Sequence, residues 1–242
     1  MKPRIYWAVL AVTCILLATF VLKPHLFPQG ETLVLRLRGR KTVNDRVQQY
    51  GTTARSRLSP YFQHAGVLYP PQKIILAGLK REKRLEVYAS DATGKMKFIR
   101  AYPVLGASGK AGPKLREGDL QVPEGFYKIE ALNPNSAFHL ALRVNYPNAF
   151  DLRQAEREGR TEPGSDIMIH GSNASIGCLA MGDQVAEELF ILAADAGREN
   201  IDVLLCPADF RAQGVLPPPG APAWTAQLYS RLAAALRALP RR

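Results

Sequence analysis

The chain has 242 residues, a length that allows one sizeable domain with small additions and a folded core. Hydrophobic residues at 47% and charged residues at 22% describe an ordinary globular protein. The net charge of +11 suits an anionic partner such as nucleic acid, lipid headgroups or an acidic wall polymer. No zinc-finger spacing and no basic stretch interleaved with aromatics is present, so nucleic acid is not an expected partner.

Lys2 and Arg4 precede an uncharged apolar run, residues 5–22, which just reaches membrane-spanning length. The flanking positive charges place the N-terminus in the cytoplasm and the rest of the chain in a periplasm, anchored to the inner membrane. A cleaved signal peptide, with a secreted product, is the rival reading. Ala18-Thr19-Phe20 ends in a bulky residue, which favours the uncleaved anchor. Cys14 lies inside the run and reads as a membrane-facing small hydrophobe. Of the three cysteines, Cys178 and Cys206 then face an oxidising compartment, where the sequence leaves their pairing open. Cys206 ends the apolar run "IDVLLC" and reads as buried and inert.

Four segments are expected: 1–24 as the anchor or signal, 25–72 as a linker and helical lead-in, 73–210 as the main domain, and 211–242 as a proline-rich linker with a final helix. Leu33, Leu35 and Leu37 alternate with Val34, Arg36 and Arg38, a weak strand signal. From Asn44 the pattern is helical, with Val47, Tyr50, Ala54, Leu58 and Phe62 on one face. Asn44 or Asp45 is the expected cap, and Pro60 predicts a kink or restart. Strands are predicted at 73–79, 84–90, 97–105, 125–132, 137–144, 166–170 and 201–206. Residues 106–119 read as a long polar loop. Residues 145–165 lack periodicity and read as an excursion over a site. Asp183 is expected to cap a helix that Gly197 ends. Trp224, Leu228, Leu232 and Leu236 make a C-terminal amphipathic helix. The fold class is therefore mainly β with flanking helices.

The run "DIMIHGSNASIGCLAMGD" (166–183) carries the chemistry. The strand should end at His170, and "GSNAS" can reverse the chain so that Cys178 returns close to it. A cysteine is nucleophilic only as thiolate, and a histidine can take its proton and later return it to a leaving group. A helix start just after Cys178 would favour the thiolate further. The amides around Gly177 and Cys178 could meet an oxyanion. The spacing alone also fits two unrelated core residues. "GASGK" resembles a phosphate loop, but Val104 stands where that motif needs glycine and Ala111 where it needs Ser or Thr. A zinc site from His139, His170 and Cys178 lacks paired ligand spacing, so no metal is expected.

"IMIHGSNASIGCLAM" resembles the active-site signature of the L,D-transpeptidase catalytic domain, the YkuD-type family. "EGDLQVPEGFYKI" (117–129) and "LNPNSAFHLALRVNYPNAFD" (132–151), with Gly159-Arg160, resemble that family's YafK/DpaA-like branch, which releases murein lipoprotein from peptidoglycan. The likeness covers roughly residues 55–210. It implies a YkuD-like β-sandwich with Cys178 as nucleophile and His170 as base. The Gly171 or Ser172 carbonyl would orient the imidazole, and Ser175 and Gly177 would shape the turn and oxyanion site. His139, which alternates with apolar neighbours like an ordinary strand histidine, and Arg160 are the substrate-binding candidates. The implied partners are peptidoglycan and a wall-linked lipoprotein, with no cofactor. The family pattern has a His where Ile176 stands and an Arg two positions after the cysteine, where Leu179-Ala180 stand. Those departures put cross-linking in doubt and favour hydrolysis or release. Transpeptidation is the alternative, and a non-catalytic wall-binding module is the alternative of another class.

Overall fold

The computed structural model describes residues 39–175 and 177–241. The apolar run 5–22, Cys14 and the alternating leucines at 33–37 lie outside the described residues. No helix among the described residues is long and apolar enough to cross a membrane.

In chain order the elements are α1 (Val43–Ala65), β1 (Ile74–Leu79), β2 (Arg84–Ser90), β3 (Met96–Pro103), β4 (Gly125–Ser136) and β5 (His139–Val144). They continue as α2 (Ala149–Arg157), β6 (Met168–His170), β7 (Leu179–Ala180), α3 (Asp183–Ala196), a 3-10 turn (Arg198–Asn200), β8 (Ile201–Cys206) and α4 (Trp224–Ala238). The strands join in one sheet, ordered β3-β2-β1-β8-β4-β5-β6-β7. The mainly β class with flanking helices is the expected one, realised as a single curled mixed sheet. β4 makes the sheet continuous: its start pairs with β8, from Gly125↔Leu205 to Lys128↔Asp202, and its remainder pairs with β5. Register irregularities between Ile129 and Ala131 and again between Asn133 and Ser136 bend that strand.

β1 and β8 pair in parallel at the centre, Ile74↔Ile201 through Leu79↔Cys206. Their near-continuous apolar sequences reflect burial on both faces. Leu228, Leu232 and Leu236 of α4 cover one face, packing with Leu79, Leu204, Cys206 and Phe210. Cys206 is fully buried and a free cysteine, and burial pushes its thiol far above the ordinary value. α3 packs against β5, behind the strand that precedes the site.

Local chemistry departs from expectation at four places. α1 is capped by Thr42, whose hydroxyl accepts from the Asp45 amide at 3.1 Å while the Asp45 carboxylate accepts from the Thr42 amide at 2.8 Å. α1 also runs through Pro60 without restarting, because Leu58 and Phe62 are both buried on the one continuous face. Asp183 does not cap α3: Gly182 is the cap residue, with no side-chain bond. The excursion at 145–165 contains α2, started by a capping box in which Asn148 Oδ1 accepts from the Phe150 and Asp151 amides. The inner face of α2 is Asp151, Gln154 and Ala155, so no apolar stripe marks it.

A buried carboxylate ties α1, β3 and α3 together. Glu188 is fully buried and accepts from Arg57 Nε at 2.7 Å, Arg100 Nη1 at 3.0 Å and the Tyr102 hydroxyl at 2.6 Å. Removing it strands two guanidinium groups that keep only part of their water. Glu188→Ala is expected to lower unfolding stability by about 2–4 kcal/mol. Denaturant titration measures this, and a loss under about 1 kcal/mol would contradict the assignment.

Candidate active site

β6 is three residues long and β7 two, yet they decide the geometry. β6 pairs with β5 antiparallel, Ala141↔His170, and with β7 in parallel, Ile169↔Leu179 and His170↔Ala180. Residues 171–178 therefore leave β6 and return beside it. Extending the register by one residue sets Cys178 opposite Met168, and the Met168 amide donates to Cys178 Sγ at 3.4 Å. Met168 and His170 share a face by the two-residue alternation of a strand. Cys178 thus returns beside β6, two residues along that strand from the level of His170.

His170 is buried, and its Nδ1 sits 2.6 Å from the Gly171 carbonyl oxygen. Burial pushes its pKa below the ordinary value, opposed by that carbonyl. A neutral ring with the proton on Nδ1 donates to Gly171 and leaves Nε2 as the base. The Phe138 ring lies over the imidazole, centroids 4.7 Å apart. A Cβ at Gly171 would come within 2.6 Å of Asp183 Oδ1 and 2.7 Å of the Phe138 carbonyl oxygen, so only glycine fits. Of the two expected orienting carbonyls, Gly171 takes the role. Ser172 instead donates its amide to Asp183 Oδ1 at 2.7 Å, which is where the Asp183 carboxylate is used.

Cys178 is partly buried, and its thiol points to the Asp166 carbonyl oxygen at 3.6 Å. Burial pushes the thiol pKa above its ordinary value. The Met168 amide on the sulfur pulls it down, the Asp166 charge pushes it up, and the Lys114 charge pulls it down. α3 begins at Asp183, beyond β7. Both shifts favour the uncharged forms, a thiol and a neutral imidazole.

The two amides expected to face an oxyanion are both engaged. Ser175 Oγ accepts from the Cys178 amide at 2.9 Å and donates to the Cys178 carbonyl at 2.6 Å. The Gly177 amide donates to Ser108 Oγ at 2.6 Å, and Ser108 Oγ donates to the Leu120 carbonyl at 2.7 Å. Gly177 has φ +90, which favours glycine there. Ser108 escaped notice in the sequence as a site residue; its one signal was the "GASGK" stretch.

His139 and Arg160 do not join this pair. His139 Nε2 pairs with Glu187 Oε1 at 3.2 Å and its ring meets Tyr50 edge-on at 5.2 Å. It supports the back of the Gly171 turn, whose added Cβ would lie 2.9 Å from the His139 Cβ. Arg160 binds Glu158 at 2.6 Å and the Leu115 carbonyl at 2.7 Å, fastening α2 to the 106–122 segment. Among the described residues no group of His, Cys, Asp and Glu could hold a metal ion.

Residues 72–201 match the YkuD model, the L,D-transpeptidase catalytic domain. The chain belongs to that family. The YafK protein of Escherichia coli strain K12 is 35% identical over 133 residues, 53% of this chain and 51% of that protein. The O157:H7 strain's YafK matches to the same extent. The chain spans about half the length of these curated relatives. Among solved structures, the helical cell shape determining protein Pgp2 from Campylobacter jejuni is 22% identical, with a TM-score of 0.46 over 73% of this chain and 61% of that one. Mycobacterium tuberculosis L,D-transpeptidase 1 is 15% identical, with a TM-score of 0.33 over 55% of this chain and 61% of that one.

A neutral resting thiol in this family member has a measurable signature. The iodoacetamide alkylation rate of Cys178, read by peptide mapping, should climb with pH and inflect above the ordinary thiol range. A rate already on its plateau at pH 5 would mean a preformed thiolate and contradict the neutral pair.

Proposed function

We propose that this chain is a periplasmic cysteine enzyme acting on peptidoglycan stem peptides. The observation that carries the reading is the return of Cys178 beside β6, the strand that ends at His170, with the imidazole held through Nδ1 by Gly171. Family membership and the 35% identity to YafK support the substrate class. The charges at Lys2 and Arg4 ahead of the apolar run 5–22 support an inner-membrane anchor.

In this mechanism His170 Nε2 takes the Cys178 proton as the sulfur attacks the carbonyl at the L-centre of a diamino-acid residue. The C–N bond then breaks, His170 returns the proton to the leaving amine, and a thioester remains on Cys178. His170 next activates water, which cleaves the thioester and restores the thiol. A neutral imidazole suits this order, since it is the uncharged base that takes the thiol proton and, after giving that proton to the leaving amine, is again the base that activates water. The amides of Gly177 and Cys178 serve the tetrahedral oxyanion once the hydroxyls of Ser108 and Ser175 yield them.

Hydrolysis, releasing a protein linked through diaminopimelate, is the preferred reaction. Two positions after the cysteine, Ala180 is fully buried, and its amide and carbonyl are bonded to Gly106 and Leu105. A cationic side chain there has no open water to occupy, so this site lacks the Arg that the cross-linking pattern carries. Cross-link formation is the second reading, with an amine in place of water.

Digestion of lipoprotein-linked sacculi with the full chain, followed by product masses, tests the reaction. Freed lipoprotein is expected, and Cys178→Ala should free none. New diamino-acid cross-links would overturn hydrolysis, and absence of any product would favour a non-catalytic wall-binding module.

A further inference from the structure

The Ser108 segment also lines a second, basic cleft. Residues 107–111 form one wall and the β1–β2 turn, with Lys80, Arg81 and Lys83, forms another. Pro207, Ala208 and Val215 close it, leaving about 670 Å³ of open space. The turn is fixed to the end of β8 by bonds from the Lys80 amide to the Cys206 carbonyl and from the Arg81 amide to the Pro207 carbonyl.

The positive charge in the cleft is compensated only in part. Lys80 is spent internally, donating to the Gly112 and Val122 carbonyls, each at 2.9 Å, and to Glu124 at 2.8 Å. Arg81 pairs with Glu82. Lys83 and Lys110 are exposed and make no ion pair among the described residues, and no Asp or Glu lines the cleft. The backbone adds donors. The Lys110 and Gly112 amides are bonded to Gln121 and Glu124, whereas the Gly109 and Ala111 amides have no acceptor among the described residues. Gly109 and Lys110 belong to the "GASGK" stretch that the sequence leaves without a role.

We infer that this cleft is a carboxylate-binding subsite for an acidic peptide, set apart from Cys178 by the Ser108 segment. Free ammonium groups and open amides together recognise an oxyanion. The apolar walls, Val122, Pro207, Ala208 and Val215, suit the small side chains of a peptide and would be unused by a bare inorganic anion. An apolar crevice shares Lys80, Lys83, Ala107 and Val122 with the cleft and reaches Leu179, the residue after Cys178. The segment that lines the cleft therefore also carries Ser108, which holds the Gly177 amide. The subsite rests on the peptide-substrate reading above and adds where the distal part of that substrate is held.

The test uses the full chain carrying Cys178→Ala, so that binding is read without turnover. An acidic wall stem peptide and its fully amidated form are titrated calorimetrically. Adding Lys83→Gln and Lys110→Gln should weaken binding of the acid about five- to tenfold, the scale of two exposed charge contacts. Lys83→Arg with Lys110→Arg should restore it, and the amidated peptide should bind the unsubstituted cleft as weakly as the acid binds the glutamine pair. Equal affinity with and without the lysines, or no binding of the acid, overturns the subsite. Inorganic phosphate binding as tightly as the peptide overturns the peptide assignment. If the peptide binds through the lysines while the Cys178 enzyme releases no product, the reaction reading fails and the subsite stands.

Discussion

The parallel pairing of β6 with β7 is the constraint on which the site depends. Parallel neighbours ordinarily need a crossover of about a dozen residues or more. Here residues 171–178 make the return, and it is fastened both from outside and from within. Asp183 holds the Ser172 amide, Ser108 holds the Gly177 amide, and Ser175 closes on both backbone groups of Cys178. The Met181 amide donates to the His170 carbonyl at 2.8 Å, locking β7 to β6 just past the cysteine. A shift of the return strand by one residue would take the Cys178 sulfur off the Met168 amide.

The fastening explains the electrostatics. A loop so closely packed buries both reactive groups, and burial disfavours the charged form of each: up for the thiol, down for the imidazole. The site therefore rests uncharged and acquires charge only when a reacting carbonyl arrives. The outer supports are themselves polar and buried. Glu188 secures α3 behind β5, and Glu124 joins Lys80 to the Tyr229 hydroxyl of α4 at 2.6 Å. The segment 106–122, which carries Ser108, hangs between that buried pair and the cysteine loop.

Elements with an apolar period were legible in the sequence. β2 and β8 fall on their expected residues, and α3 ends at Gly197 as its composition suggests. β7 was not legible because two residues carry no period. α2 was hidden because its inner face is Asp151 and Gln154, and its start signal, Asn148 with Asp151, is only a capping box. At the site, the strand–turn–cysteine order brought out His170 and Cys178, within one short stretch, and the family resemblance pointed to Gly171 or Ser172 beside them. Ser108 could not be assigned that way: its partner Gly177 is 69 residues on, and only the fold brings them together. Arg160 and His139 illustrate the converse, polar residues in family-like segments whose contacts fasten helices and turns.

Intact mass after incubation with a carbapenem tests Cys178 as nucleophile most directly, because ring opening leaves the drug on the sulfur. The unsubstituted chain should gain one drug mass, mapped to the peptide containing Cys178. Cys178→Ala should gain none, and His170→Ala should acylate far more slowly. An unsubstituted chain that gains no mass, or a Cys178→Ala chain that gains as much, would contradict it.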